Sequence, residues 1–262
     1  MLSLYLLRHG ETEFSRRDRF CGDIDAPLTD AGALMAQQFA DAYDDLHWRG
    51  IITSTRRRTL ATATPLAERL GLPIRPDGRL DEMFFGDWQG LTKKEASVRD
   101  PARYGQWRAN PMVGAPSGES PFDVSVRALA AIDDLRTRYE AGNVLVVSHK
   151  TVLRLLLCRL LGIDLRRYRE CVNWPTGAVS VLELGTGQAV ARRLTDDRHL
   201  FPEARRHLVR EQDPGRGQPD ALFVDGHPSG SDGAADLDVA TADEVDAMTG
   251  PMGGAIDPGG GS

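Results

Sequence analysis

Two histidines and two arginines stand at comparable places in this chain, each where an apolar run stops. The run 4–7, LYLL, ends at Arg8 and His9, followed by Gly10. The run 143–148, NVLVVS, ends at His149 and Lys150. Between them, the apolar stretch 48–54 leads into TSTRRRTLATA, with Ser54, Arg58 and Thr62. A further acidic group, Glu82, lies in RLDEMFFGDWQGLT beside Gly86, Trp88 and Gly90. Ending a buried run on groups that resist burial has to be offset by something. Guanidinium groups offer planar, two-pronged donation to an oxyanion, and imidazole can donate or accept near neutral pH. Gathered at one place, such groups hold an anion. Taken singly, each has a plain reading as a core histidine, a solvated arginine face or a loop carboxylate. The argument rests on their convergence.

That convergence requires a particular arrangement of elements. Strand-like segments at 2–7, 48–54, 72–77 and 143–148 alternate with helical periodicity at 28–43, 56–71, 120–140 and 150–162. Thr29 is placed to cap the first of these helices, Gly71 to end the second, and Pro121 to open the third. Two more strands, GAVSVLEL and QAVARRLT, close the domain, and 79–120 reads as irregular with short helical pieces. Apolar strands separated by helices specify an α/β three-layer sandwich, a mainly parallel sheet flanked by helices. Such sheets bind ligands outside the carboxyl ends of their strands, where Arg8, His9 and His149 stand. Arg58 at the start of a helix makes local sense if an anion sits there too.

The net charge of −6 combines two unlike parts: 213–262 holds ten acidic residues and one basic, hence −9, and 1–212 holds 28 and 31, hence +3. The body suits a small anionic substrate and is too weakly basic to argue for nucleic acid. Residues 213–262, rich in Gly, Asp, Pro and Ser, read as a disordered acidic tail, with ALFVDG as an optional docking segment. No run reaches membrane-spanning length and no secretory signal is evident. The three cysteines, Cys21, Cys158 and Cys171, lack metal or disulfide spacing and read as reduced thiols of a cytoplasmic protein.

Read together, LLRHGET, STRRRTLATA, LDEMFFGDWQG, SGES and VVSHKTVLR resemble, in order and spacing, the motifs of the histidine phosphatase superfamily, in its phosphoglycerate-mutase-like branch. The resemblance covers about residues 2–195. It implies a phosphoglycerate-mutase-like fold over 1–212, with 83–120 as a cap-like insertion over the site. It also implies a phosphohistidine intermediate on His9 and Glu82 as proton donor. Arg8, Arg58 and His149 would surround the phosphoryl oxygens, without metal or cofactor. There are three departures from the family pattern. Phe14 and Ser15 replace a common Trp-Asn pair, which gives Ser15 the place of a phosphate-lining Asn. Arg56 stands where an apolar residue is usual, so Arg57 and Arg58 compete for the inward position. Arg58 is favoured because Thr62 and Ala63 then fall in register. Lys150 replaces a Gly, as a substrate contact or as the solvated start of a helix.

The implied activity is a phosphomonoesterase acting on a small phosphorylated metabolite such as phosphoserine or a phosphoglycerate-like compound. The alternatives are a cofactor-dependent phosphoglycerate mutase and an inactive phosphate-binding module. Gly22, Lys150 and Arg108 are candidate substrate contacts, and Lys93, Arg99 and Arg103 candidate partners for a second anionic group. Neither nucleic acid nor membrane is expected as a partner, and a homodimer is left open. Truncation after residue 212 is expected to leave thermal stability and turnover nearly unchanged; a large drop in either would show that the tail docks.

Overall fold

A computed structural model describes residues 1–201. The expected tail, 213–262, lies outside the described residues. Six strands form one sheet: β1 (Leu2–Arg8), β2 (Trp48–Thr53), β3 (Ile74–Pro76), β4 (Gly142–Ser148), β5 (Val179–Leu184) and β6 (Val190–Asp196), ordered β3-β2-β4-β1-β5-β6. The pairings β2–β3, β2–β4 and β1–β4 are parallel, whereas β5 runs antiparallel to both β1 and β6. The sheet is mainly parallel, with a mixed edge where the last two segments return without a helix between them.

Alternation along the central strands builds the three layers. Leu4, Leu6, Val144, Val146 and Leu182 face one side, while Leu7, Leu145, Val147 and Val179 face the other. The second face is covered by α2 (Asp30–Tyr43) and α3 (Arg57–Leu70), through Phe39, Tyr43, Ala63 and Leu66. The first is covered by α6 (Pro121–Arg138) and α7 (Lys150–Leu161), together with Leu80, Met83, Phe85, Trp88 and Trp107. The last four belong to the segment 83–120, which carries α4 (Lys93–Arg99) and α5 (Pro101–Ala109). Phe20 packs on Phe85, Trp88 and Trp107 with ring centroids 4.9, 5.7 and 5.8 Å away, tying the segment to the body.

The local signals account for the helix ends. Thr29 Oγ1 accepts the Gly32 N–H at the start of α2, and Gly71 (φ 61) and Gly162 (φ 67) end α3 and α7 in the left-handed conformation. One helix was not anticipated: the single turn α1 (Glu13–Arg16), nucleated by reciprocal capping between Thr12 and Ser15. Among the described residues, no helix is long and apolar enough to cross a membrane.

Register then aligns the strand ends. Arg8 pairs with Ser148, and Thr53 with Val147. The ladder continues one step beyond, with His9 N–H donating to Ser148 O (3.1 Å) and Ser54 N–H to Val147 O (3.0 Å). His9, His149 and Ser54 therefore emerge side by side from three adjacent strands. Gly10 follows because the first turn of α2 closes onto it: a Cβ there would lie 2.4 Å from Gly32 O. Gly10→Ala is expected to cost about 1–3 kcal/mol or more, since backbone must move. Urea denaturation checks this, and unchanged stability would contradict the close approach.

Candidate active site

His9 is 6% exposed. Its Nδ1 lies 2.7 Å from Gly10 O. A carbonyl can only accept, so Nδ1 carries the hydrogen and, in the neutral ring, Nε2 holds the lone pair. The carbonyl is itself held: Gly10 N–H donates to Thr62 Oγ1 (2.9 Å), and Thr62 Oγ1–H donates to Arg58 O (2.6 Å). Burial first, then the Arg58 and Arg8 charges, push His9 well below its usual 6.5, and the Gly10 carbonyl only partly opposes this. Arg8, also buried, donates from one guanidinium nitrogen to Trp174 O at 2.7 Å.

Arg58 is fully buried, whereas Arg57 is exposed. The register argument from Thr62 thus agrees with the side chain that turns inward. Its guanidinium donates to Ile24 O (2.7 Å), Gly22 O (2.9 Å) and His149 Nδ1 (3.2 Å). Because an arginine Nε–H can only donate, His149 Nδ1 must accept, and the ring carries its hydrogen on Nε2. That hydrogen goes to Ser54 Oγ at 2.7 Å, and Ser54 Oγ is 2.9 Å from Thr59 Oγ1. Burial and then the Arg58 charge depress His149 far below 6.5. The two imidazoles lie 5.2 Å apart between centroids. Both ring nitrogens of His149 have protein partners, Arg58 at Nδ1 and Ser54 at Nε2.

Glu82 Oε1 accepts the Met83 N–H (2.8 Å), and Oε2 is 3.4 Å from Thr151 N in the first turn of α7. This ties the irregular segment to the helix that begins at Lys150. The Glu82 charge acts on Arg58 at long range.

Other expected residues take different places. Ser15 spends its hydroxyl locally, donating to Thr12 O (3.0 Å) and accepting Thr12 N–H (2.9 Å), because α1 forms there. Gly22 offers its carbonyl to Arg58, and its φ of 57° with Gln89 alongside explains the missing side chain. Lys150 is half-buried at the start of α7. Arg108 is exposed, because α5 buries the adjacent Trp107 instead. Lys93 pairs with Asp18 (3.3 Å), Arg99 donates to Asp87 O (3.3 Å) and Arg103 to Gly114 O (3.2 Å). Arg99 and Arg103 thus brace the 83–120 segment from within, and Lys93 ties it to the turn at Asp18. Cys21 is half-buried, and Cys158 and Cys171, distant in sequence, approach to 3.7 Å between sulfurs as free thiols.

Sequence reasoning missed the carbonyls of Gly22, Ile24 and Trp174, which side-chain motifs cannot reveal.

A mixed α/β sheet that delivers two buried neutral histidines and two buried arginines to the carboxyl ends of its strands defines a class of phosphoryl-transfer proteins. The sequence profile of the histidine phosphatase superfamily (branch 1) matches residues 4–197, and the chain belongs to that superfamily. A glucosyl-3-phosphoglycerate phosphatase of Mycolicibacterium vanbaalenii is 34% identical over 179 residues, 66% of this chain and 77% of the relative. Phosphoserine phosphatase 1 of Hydrogenobacter thermophilus is 30% identical over 203 residues, 76% of this chain and 95% of the relative. Among solved structures, Bacillus stearothermophilus YhfR superposes with a TM-score of 0.72 at 32% identity, covering 76% of this chain and 99% of its own. The protein is a small-metabolite phosphatase, a phosphoric monoester hydrolase.

The depressed histidines have a measurable sign. Unfolded histidine takes a proton near pH 6.5, whereas folded His9 and His149 stay neutral well below it. The unfolded chain therefore binds more protons below that pH, and stability falls on acidification by up to about 1.4 kcal/mol per pH unit for each ring. In ¹⁵N NMR, neither ring should titrate between about pH 8 and about pH 6. A midpoint near the usual histidine value in either would refute the buried, cation-flanked environment.

Proposed function

We propose that the protein hydrolyses a small phosphomonoester in two displacements at His9, with Glu82 moving the proton. In the first, the His9 Nε2 lone pair attacks phosphorus. The P–N bond forms as the P–O bond to the leaving group breaks, and the Glu82 carboxyl gives its proton to the departing oxygen. In the second, water attacks the phosphohistidine, Glu82 carboxylate takes the proton, the P–N bond breaks and inorganic phosphate leaves. Arg8 and Arg58 are the donors aimed at the equatorial oxygens, supplying the preorganised positive charge on which phosphoryl transfer depends. Three of the five N–H groups of Arg58 are engaged by Ile24, Gly22 and His149, which fixes the direction of the remaining two. His149, held by Ser54, orients Arg58. Ser15, Gly22 and Arg108 play no direct part in this scheme.

The observation that carries this reading is the His9 ring, neutral and hydrogen-bonded through Nδ1 to Gly10 O between two guanidinium groups. The relatives named as acting on glucosyl-3-phosphoglycerate and phosphoserine support a phosphorylated hydroxy- or amino-acid substrate. Phosphate release should be measured over phosphoserine, phosphoglycerates, sugar phosphates and nucleotides. Primer-dependent conversion of 3-phosphoglycerate to 2-phosphoglycerate without free phosphate would favour the mutase alternative.

Acid-quenched protein should carry labelled phosphate on His9, and His9→Ala should lose both label and turnover while remaining folded. Retained turnover in that variant would refute the covalent route. Glu82→Gln should slow alkyl phosphates by about 100-fold or more, and activated aryl phosphates far less in the first step. Equal slowing would refute its role as acid.

A further inference from the structure

Cys158 and Cys171 are a pair of thiols that the proposed chemistry does not use. They stand 13 residues apart in the chain, yet their sulfurs lie 3.7 Å apart, with the Cys158 S–H directed at Cys171 Sγ. Both are free thiols. Their backbones are held independently. Cys158 belongs to α7, where its carbonyl accepts the Ile163 N–H (2.9 Å) at the helix end. Cys171 follows the 3-10 turn Leu165–Arg167, and its N–H donates to Arg167 O (2.8 Å). Secondary structure on each side therefore brings the sulfurs into contact without a covalent link. A disulfide places its sulfurs about 2.05 Å apart, so closure from 3.7 Å asks for an approach of about 1.7 Å. Side-chain rotation and a small backbone shift share that distance.

The two thiols differ in access. Cys158 is wholly buried, whereas Cys171 is half-buried. The hydrogen bond from Cys158 draws Cys171 down to about 7; burial opposes this and the Arg154 charge supports it. The same hydrogen bond, together with burial, pushes Cys158 up. The thiolate is the reactive form of cysteine, so a small oxidant meets it at Cys171. Cys158, closed to solvent, meets its neighbour instead. Cys21 is the internal contrast: it is half-buried, its Sγ donates to Ile24 O (3.4 Å), and burial pushes it up.

We propose that Cys158 and Cys171 form a redox modification site, closing to a disulfide when a hydroperoxide reaches Cys171 and reopening on reduction by a thiol. The Cys171 thiolate attacks one peroxide oxygen; the S–O bond forms, the O–O bond breaks, and the departing oxygen leaves as hydroxide or alkoxide and takes a proton. Cys171 is then a sulfenic acid. The Cys158 sulfur attacks it, the S–S bond forms, the S–O bond breaks, and the released hydroxide takes the Cys158 proton to give water. Two thiols are oxidised and one peroxide is reduced. The closed loop fastens the segment that presents Trp174 O to Arg8 (2.7 Å) onto α7, whose N-cap is His149.

The test treats the full chain with hydrogen peroxide, unfolds it in iodoacetamide and digests it with trypsin. The peptides 155–159 and 170–192, which carry Cys158 and Cys171, should be found joined and should separate on treatment with dithiothreitol, while Cys21 is found alkylated. The oxidised protein should melt about 5–10 °C above the reduced one in calorimetry, because the link restricts the unfolded chain. Cys171→Ser should lose both the cross-link and the rise in Tm, with Cys158 still alkylated. Cys158→Ala should leave on Cys171 a sulfenic acid that dimedone traps; should that buried substitution not fold, the wild type and Cys171→Ser still decide the matter. Cys171 recovered as sulfinic acid beside an alkylated Cys158, or either thiol joined to Cys21, would overturn the proposal. A joined pair with an unchanged Tm would overturn the fastening of the Trp174 segment.

Discussion

The hydrogen bond from His9 Nδ1 to Gly10 O is the interaction on which the rest of the site depends. It settles which ring nitrogen carries the hydrogen, and so which one can act as a nucleophile on the proposed route. The ring keeps this tautomer only if it stays neutral, which its burial and the charges of Arg58 and Arg8 enforce. The carbonyl keeps its direction only if the Gly10 peptide is fixed, which the chain from Gly10 to Thr62 to the Arg58 carbonyl accomplishes. The tight packing of Gly10 on Gly32 adds a second restraint. The Gly10 carbonyl beyond the end of β1 is thereby held by α2 and α3, elements that begin 20 and 47 residues later in the chain.

The electrostatics of the site follow from how its cations are compensated. Surface arginines are paired with carboxylates in high dielectric, where each pair contributes little. Arg58 is stabilised by two carbonyl dipoles and an imidazole, which support a charge without neutralising it. Positive potential therefore persists at the strand ends, in a body of slight net positive charge, and an oxyanion placed there meets donors that need not reorganise. The two histidines add no positive charge of their own because burial, and then the same cations, keep them neutral.

The 83–120 segment has a complementary character. Its aromatic side chains lock it to Phe20 and to the face formed by α6 and α7. Its cations are spent on Asp18, Asp87 and Gly114. Glu82, at its base, reaches the first turn of α7. The Glu82 charge is felt by Arg58, and Arg99 and Arg103 donate to carbonyls within the segment.

The order of strands and helices, their caps, and the placement of Arg8, His9, Arg58 and His149 at strand ends were legible in the chain. They follow from local rules: alternation of apolar residues, capping chemistry, and the tendency of parallel sheets to bind ligands at their carboxyl ends. The single turn at Glu13–Arg16 escaped notice because it is too short to show periodicity, and its formation engages the Ser15 hydroxyl with Thr12. The tautomer of His149, the carbonyl partners of Arg8 and Arg58, and the closeness of Cys158 to Cys171 were decided only in three dimensions. Each of these depends on which distant segments meet and on where backbone carbonyls point. A backbone carbonyl is the same group at every residue, so the one-dimensional pattern cannot distinguish those that build the site from those that do not.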